Sequence, residues 1–81
     1  QSQLEVDFIL YGNHGFHAFD IKRKAHLSTA DFKGLRAFAS DYPMASCYLL
    51  YGGTEAYYHH DIRVIPFEEA LGNLKPLLSV P

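Results

Sequence analysis

Leu4-Glu5-Val6-Asp7-Phe8-Ile9-Leu10-Tyr11, then Gly12-Asn13-His14-Gly15, then Phe16-His17-Ala18-Phe19-Asp20-Ile21-Lys22 is the stretch on which the fold turns. Residues 4–11 alternate well enough for a strand, and residues 16–22 make a second. The Gly/Asn-rich segment between them is turn chemistry, so residues 4–23 read as a β-hairpin. With Asn13 and His14 at the tip, paired residue numbers sum to 27. Directly opposed residues share a face. One face then carries Tyr11/Phe16, Ile9/Ala18, Asp7/Asp20 and Glu5/Lys22. The other carries Leu10/His17, Phe8/Phe19, Val6/Ile21 and Leu4/Arg23, is mostly apolar and belongs in a core.

Two opposed aspartates are a liability, because β-carbons of such a pair lie ~4.5–5.5 Å apart and like charges there destabilise the sheet. Three arrangements offset them: a shared proton that raises one pKa, the ammonium of Lys22 on the same face, or a divalent cation. Mg²⁺ and similar hard ions take carboxylate oxygens and keep several waters. A metal there could activate water and steady the charge that builds on a phosphodiester, with Lys22 beside it as a point charge.

Outward from the hairpin, Ser28 reads as a helix N-cap with Asp31 at the third helical position. Leu27 and Phe32 can staple across that cap. Phe32, Leu35, Phe38, Ala39 and Tyr42 keep helical spacing, and Pro43 marks the stop. The apolar run 44–51 reads as a buried central strand. Gly52-Gly53 turns the chain into short strands at 54–59 and 62–66. A short helix over 67–71 follows, with Pro66 near its start and Gly72 after it. The order β-β-α-β-β-β-α predicts an α/β domain with a right-handed parallel crossover between residues 16 and 51.

The chain has 81 residues, which suits a single domain spanning 1–81, with a core over 4–72 and a C-terminal tail over 73–81. At this size a domain buries only ~60–65% of its unfolded surface, and its stability is marginal. The formal net charge is −2, so the chain lacks the basic footprint of a tight non-specific nucleic-acid binder. Its one cysteine, Cys47, cannot form an internal disulfide and suits a reducing, cytoplasmic location. No signal peptide is visible and no apolar run reaches the ~20 residues of a membrane helix. The opening without Met and the apolar Leu77-Leu78-Ser79-Val80-Pro81 ending read as a piece cut from a longer protein. The apolar residues 74–81 are candidates for packing on the domain itself, on a second copy or on segments outside the given chain.

Asp7 followed by Asp20-Ile21-Lys22 on the next strand resembles the PD-(D/E)XK nuclease motif. More closely, Glu5-Val6-Asp7-Phe8-Ile9-Leu10, Phe19-Asp20-Ile21-Lys22, Leu27-Ser28, Asp31-Phe32-Lys33-Gly34-Leu35 and Val64-Ile65-Pro66-Phe67 resemble the nuclease-like C-terminal domain, catalogued as of unknown function, of prokaryotic AAA-type ATPases. The resemblance implies a restriction-endonuclease-like core, a mixed β-sheet flanked by helices and incomplete at its N-terminus. It also implies that Asp7, Asp20 and the Ile21 carbonyl hold Mg²⁺ or Mn²⁺. Lys22 would orient or activate the attacking water, Glu5 would be accessory, and DNA and the parent ATPase domain would be partners. Asp20 stands where these relatives commonly have Glu. The first core helix would lie upstream, and the chain has no Gly-x-x-x-x-Gly-Lys-Ser/Thr phosphate loop. Two functions follow as expectations: metal-dependent phosphodiester chemistry, or a non-catalytic module of the same fold that docks DNA or protein.

Lys22-Arg23-Lys24 with His26 forms a basic cluster, open to phosphate contact or to plain solvation. His59 and His60 are expected on opposite faces and so in a turn or exposed edge rather than on one metal. Cys47 is expected to be an inert buried thiol. Tyr48, Tyr51, Tyr57 and Tyr58 are either stacking platforms or packing residues.

Overall fold

The computed structural model describes residues 6–13 and 15–78. It contains β1 (Phe8–Gly12), β2 (Gly15–Lys22), a 3₁₀ turn (Thr29–Phe32), α1 (Lys33–Asp41), β3 (Ser46–Tyr51), β4 (Tyr57–His59), β5 (Ile62–Pro66) and α2 (Phe67–Leu78). The five strands form one sheet in the order β1-β2-β3-β5-β4. β1 is antiparallel to β2, β4 is antiparallel to β5, and β2, β3 and β5 run parallel. The sheet is therefore mixed and the class α/β, as the element order predicts. The apolar run at 46–51 takes the central position, paired on both sides.

The hairpin register follows the sum of 27: Phe8 faces Phe19, Ile9 faces Ala18, Tyr11 faces Phe16 and Gly12 faces Gly15. The paired ladder begins at Phe8, so the expected strand start at residue 4 is corrected by that much within the described residues. Just ahead of it the Asp7 N–H donates to the Phe19 carbonyl at 2.9 Å, one residue off the ladder's own pairing. Val6 consequently packs with the Ala18 and Phe32 cluster instead of sitting over Ile21. Leu4 and Glu5, and with them the expected Glu5/Lys22 pair, lie outside the described residues, as does His14.

Both faces of the sheet are covered. Ala18, Leu49, Tyr51, Ile62 and Val64 pack under Phe32, Leu35 and Phe38 of the α1 layer. Phe19, Leu50 and Ile65 pack with Ala70 of α2 on the other side. On that side Phe8 stacks on Phe19 and Phe19 on Tyr48, each at a ring separation of 4.7 Å. The Tyr48 hydroxyl lies 3.1 Å from His17 Nδ1.

Two helix expectations need correction. The Ser28 start is right, but the first turn is 3₁₀, and α1 proper runs from Lys33. The tighter turn lets the Asp31 carboxylate reach back to the Ser28 N–H at 2.8 Å and its hydroxyl at 3.3 Å. The second helix does not end before Gly72 but continues to Leu78. A glycine inside a helix costs only about 1 kcal/mol, a penalty that tertiary packing overrides. Pro76 also sits within this helix, where proline forgoes one backbone hydrogen bond.

Candidate functional site

Asp20 sits near the carboxyl end of β2, in register with Leu49 of β3, on the face that α1 covers. It is 3 % exposed. The candidate site is therefore buried at one wall rather than spread on a solvated strand face. Asp7 comes from the approach to β1, is itself exposed, and its Oδ2 accepts a hydrogen bond from the Ile21 N–H at 2.6 Å. Lys22 Nζ stands 3.7 Å from Asp20 Oδ2. Asp20 Oδ2 is buried without a hydrogen-bond partner.

These surroundings raise the Asp20 pKa from 3.8 to about 6. Burial is the main cause, since it penalises the charged form. The neighbouring Asp7 carboxyl adds to it through a hydrogen bond and through its charge, while Lys22 and the Ile21 backbone pull the other way. The pair arrangement expected from the register is thus present in substance. Its backbone route differs, because Asp7 arrives through an off-register hydrogen bond and not as a ladder partner.

The chemistry of the donors suits a hard divalent ion. A buried carboxylate oxygen lacks a hydrogen-bond partner, a second carboxylate stands beside it, and both are hard oxygen ligands. The Ile21 N–H points to Asp7, and in a strand a residue's N–H and C=O leave on the same side, so the Ile21 carbonyl is directed that way too. Among the described residues no group of three or more His, Cys, Asp or Glu side chains gathers for a metal. Such a site would rest on two carboxylates and a carbonyl, completed by the several waters that Mg²⁺ keeps.

The basic cluster is divided. Lys24 Nζ pairs with Asp31 Oδ1 at 2.9 Å, and the Ser28 N–H together with Lys24 holds the Asp31 carboxyl below its ordinary range. Arg23 and His26 are exposed. Cys47 is buried, and burial pushes its thiol pKa up, as expected of an inert core cysteine.

The two histidines lie where the turn-or-edge reading expects them, His59 ending the edge strand β4 and His60 in the turn that follows. His60 lies in the β4–β5 turn with φ +55°, so strict alternation fails there. Its ring meets His59 edge-on at 4.7 Å. His59 stacks on Phe32 at 3.8 Å, and burial with the nearby His60 and Arg36 lowers its pKa. No sequence signal foretold this packing, since a histidine at a strand end carries no periodicity of its own.

Tyr51 and the Gly52-Gly53 turn shape the surface at the carboxyl end of β3. Tyr51, the ladder partner of Lys22, turns its ring over Gly53. A Cβ at Gly53 would run into that ring. The Tyr51 hydroxyl donates to the Glu55 carbonyl at 2.8 Å and accepts from the Glu55 N–H at 3.2 Å. The spacing Tyr51-Gly52-Gly53 is the signal that could have been read for it.

Fold and site together define an α/β domain with a mixed sheet and a carboxylate pair, one member buried, backed by a lysine on the same strand. The chain belongs to the family described as Domain of unknown function (DUF4143), whose model matches residues 1–70. Comparisons with curated proteins and with solved structures found no match. Among the described residues no helix is long and apolar enough to cross a membrane.

Proposed function

We propose that this chain is a nuclease-like domain of PD-(D/E)XK type, in which Asp7, Asp20 and the Ile21 carbonyl hold Mg²⁺ or Mn²⁺ for phosphodiester chemistry on DNA. The observation that carries the reading is the buried Asp20 Oδ2, which lacks a hydrogen-bond partner and is flanked by Asp7 and, at 3.7 Å, the Lys22 ammonium. A buried carboxylate oxygen without a donor is rare and calls for an explanation; a cation between the two carboxylates supplies one. A bound divalent ion activates water and stabilises the charge that builds on phosphorus. Lys22 places a positive charge next to the buried carboxylate, where it orients water or a phosphate oxygen. The Ile21 N–H fixes the Asp7 carboxylate, which keeps that ligand from swinging away. The sequence resemblance to the C-terminal domain of AAA-type ATPases adds that the parent chain carries the motor and that its ATPase domain is a docking partner.

A second reading also has an observation behind it. A proton shared between Asp7 and Asp20, with Lys22 at 3.7 Å, reconciles the charges without a metal. Under that reading the domain is a non-catalytic module that docks DNA or protein. Titration of Mn²⁺ into the wild type and into Asp20→Ala separates the two. Saturable binding in the wild type alone supports the metal site, and flat titrations in both remove it. DNA cleavage by the full-length parent with Mg²⁺ or Mn²⁺, abolished by Lys22→Ala, then decides for the enzyme.

A further inference from the structure

We propose that a cleft at the carboxyl ends of β2 and β3, walled by Tyr57, Leu27 and the Gly52–Glu55 loop, takes one unstacked base of a single DNA strand passing Lys22. The inference rests on the phosphodiester reading above and adds to it where the base next to the scissile phosphate goes.

The cleft measures about 470 Å³, and Ala25, His26, Leu27, Tyr51, Thr54 and Tyr57 contribute to its walls. It opens at the carboxyl ends of the parallel strands β2 and β3, the end of an α/β sheet where ligands are bound. Lys22 and Tyr51 are ladder partners, so their backbones lie ~4.8 Å apart. The Tyr57 ring stands 6.3 Å from that of Tyr51 and perpendicular to it. Lys22 and the aromatic wall of Tyr51 and Tyr57 therefore stand at the same end of the sheet.

The chemistry of the walls matches a base. Tyr57 is 41 % exposed although it lies in a strand, which leaves ring surface for stacking, an interaction that every base can make. Thr54 and Glu55, a hydroxyl-bearing and a carboxylate-bearing residue, line the same cleft. A carboxylate accepts from the exocyclic amine of a base such as cytosine. Lys22, Arg23 and His26 lie in the segment where β2 ends and supply cations for phosphate contact at that end of the sheet. The cleft is also held in shape before any ligand arrives. Tyr51 clasps Glu55 through both its backbone groups, and the Gly52 N–H donates to the Lys24 carbonyl at 3.0 Å. A preformed wall spares the ligand the cost of ordering it.

Fluorescence anisotropy with a labelled single-stranded DNA octamer in EDTA tests this without any metal. Wild type, Tyr57→Ala and Tyr57→Phe are compared on the intact octamer and on one lacking its bases. Loss of one stacking partner should weaken binding of Tyr57→Ala roughly 5- to 150-fold, with Tyr57→Phe close to wild type. The abasic octamer should bind the wild type weakly and Tyr57→Ala no worse than the intact one does. Equal binding of intact and abasic DNA by the wild type overturns the proposal, as does unchanged affinity in Tyr57→Ala or the lack of saturable binding. The abasic comparison on the wild type needs no variant to fold. Base-dependent binding alongside a flat Mn²⁺ titration supports the cleft and overturns the catalytic reading alone.

Discussion

Replacing Asp20 by Asn should make the metal-free domain more stable at neutral pH, although it removes a residue of the candidate site. A carboxyl pushed from 3.8 to about 6 costs the folded state about 3 kcal/mol once it is ionised. The sign follows from the proton count. Below about pH 4 Asp20 is protonated in both states and carries no penalty. Between about pH 4 and pH 6 the unfolded chain releases its proton while the folded chain keeps it, so stability falls as pH rises. Above the folded value both states are ionised and the full penalty remains. Asn keeps the shape and cannot ionise. Urea unfolding in EDTA from pH 4 to pH 8 is the assay. The difference between variant and wild type should grow across that window to about 1–3 kcal/mol, a midpoint shift of ~1 M or more. The comparison cancels Asp31, whose lowered pKa works in the opposite sense and adds stability that is lost as pH falls. Parallel pH profiles, or a variant less stable than wild type at pH 7, would refute the argument that a buried, crowded carboxylate sits at position 20.

Other substitutions test the frame around the site. Asp31→Ala removes the acceptor of the Ser28 N–H and the partner of Lys24, and should cost ~0.5–2 kcal/mol in urea unfolding. Gly53→Ala drives a methyl into the Tyr51 ring and should cost about 1–3 kcal/mol, with the Tyr51–Glu55 clasp lost in amide-exchange protection. Leu49→Ala opens a void under α1 at a fully buried position and should cost ~2–5 kcal/mol, which for a domain of this size leaves a large unfolded fraction at 37 °C.

Much of the frame was legible because periodicity and turn chemistry act over a few residues. The hairpin register depends only on where Gly12 and Gly15 place the tip, and the pairing of Phe8 with Phe19 follows. The central position of residues 46–51 follows from an unbroken apolar run. The approach of Asp7 was legible only in outcome. Whether a strand leaves its ladder one residue early depends on what Val6 finds to pack against, here the cluster around Ala18 and Phe32. The burial of Asp20 was hidden for the same reason, since alternation assigns a face but not what covers it. Gly72 and Pro76 carry local stop signals, and packing of Ala70 against Phe19, Leu50 and Ile65 outweighs them in α2.

The run of rings from Phe8 through Phe19 to Tyr48 gives the hairpin a built-in optical and magnetic label. The chain has no tryptophan, so its near-ultraviolet dichroism comes from tyrosine and phenylalanine held in asymmetric surroundings. Stacked rings shield one another's protons, and the Phe8 resonances should lie upfield of those of a free phenylalanine. A slip of β1 by one residue would carry Phe8 to the opposite side of the sheet and erase that shielding. The same slip would part Asp7 from Asp20. The chemical shift of one phenylalanine on the edge strand thus reports whether the two carboxylates are in place, before any ion or nucleic acid is added.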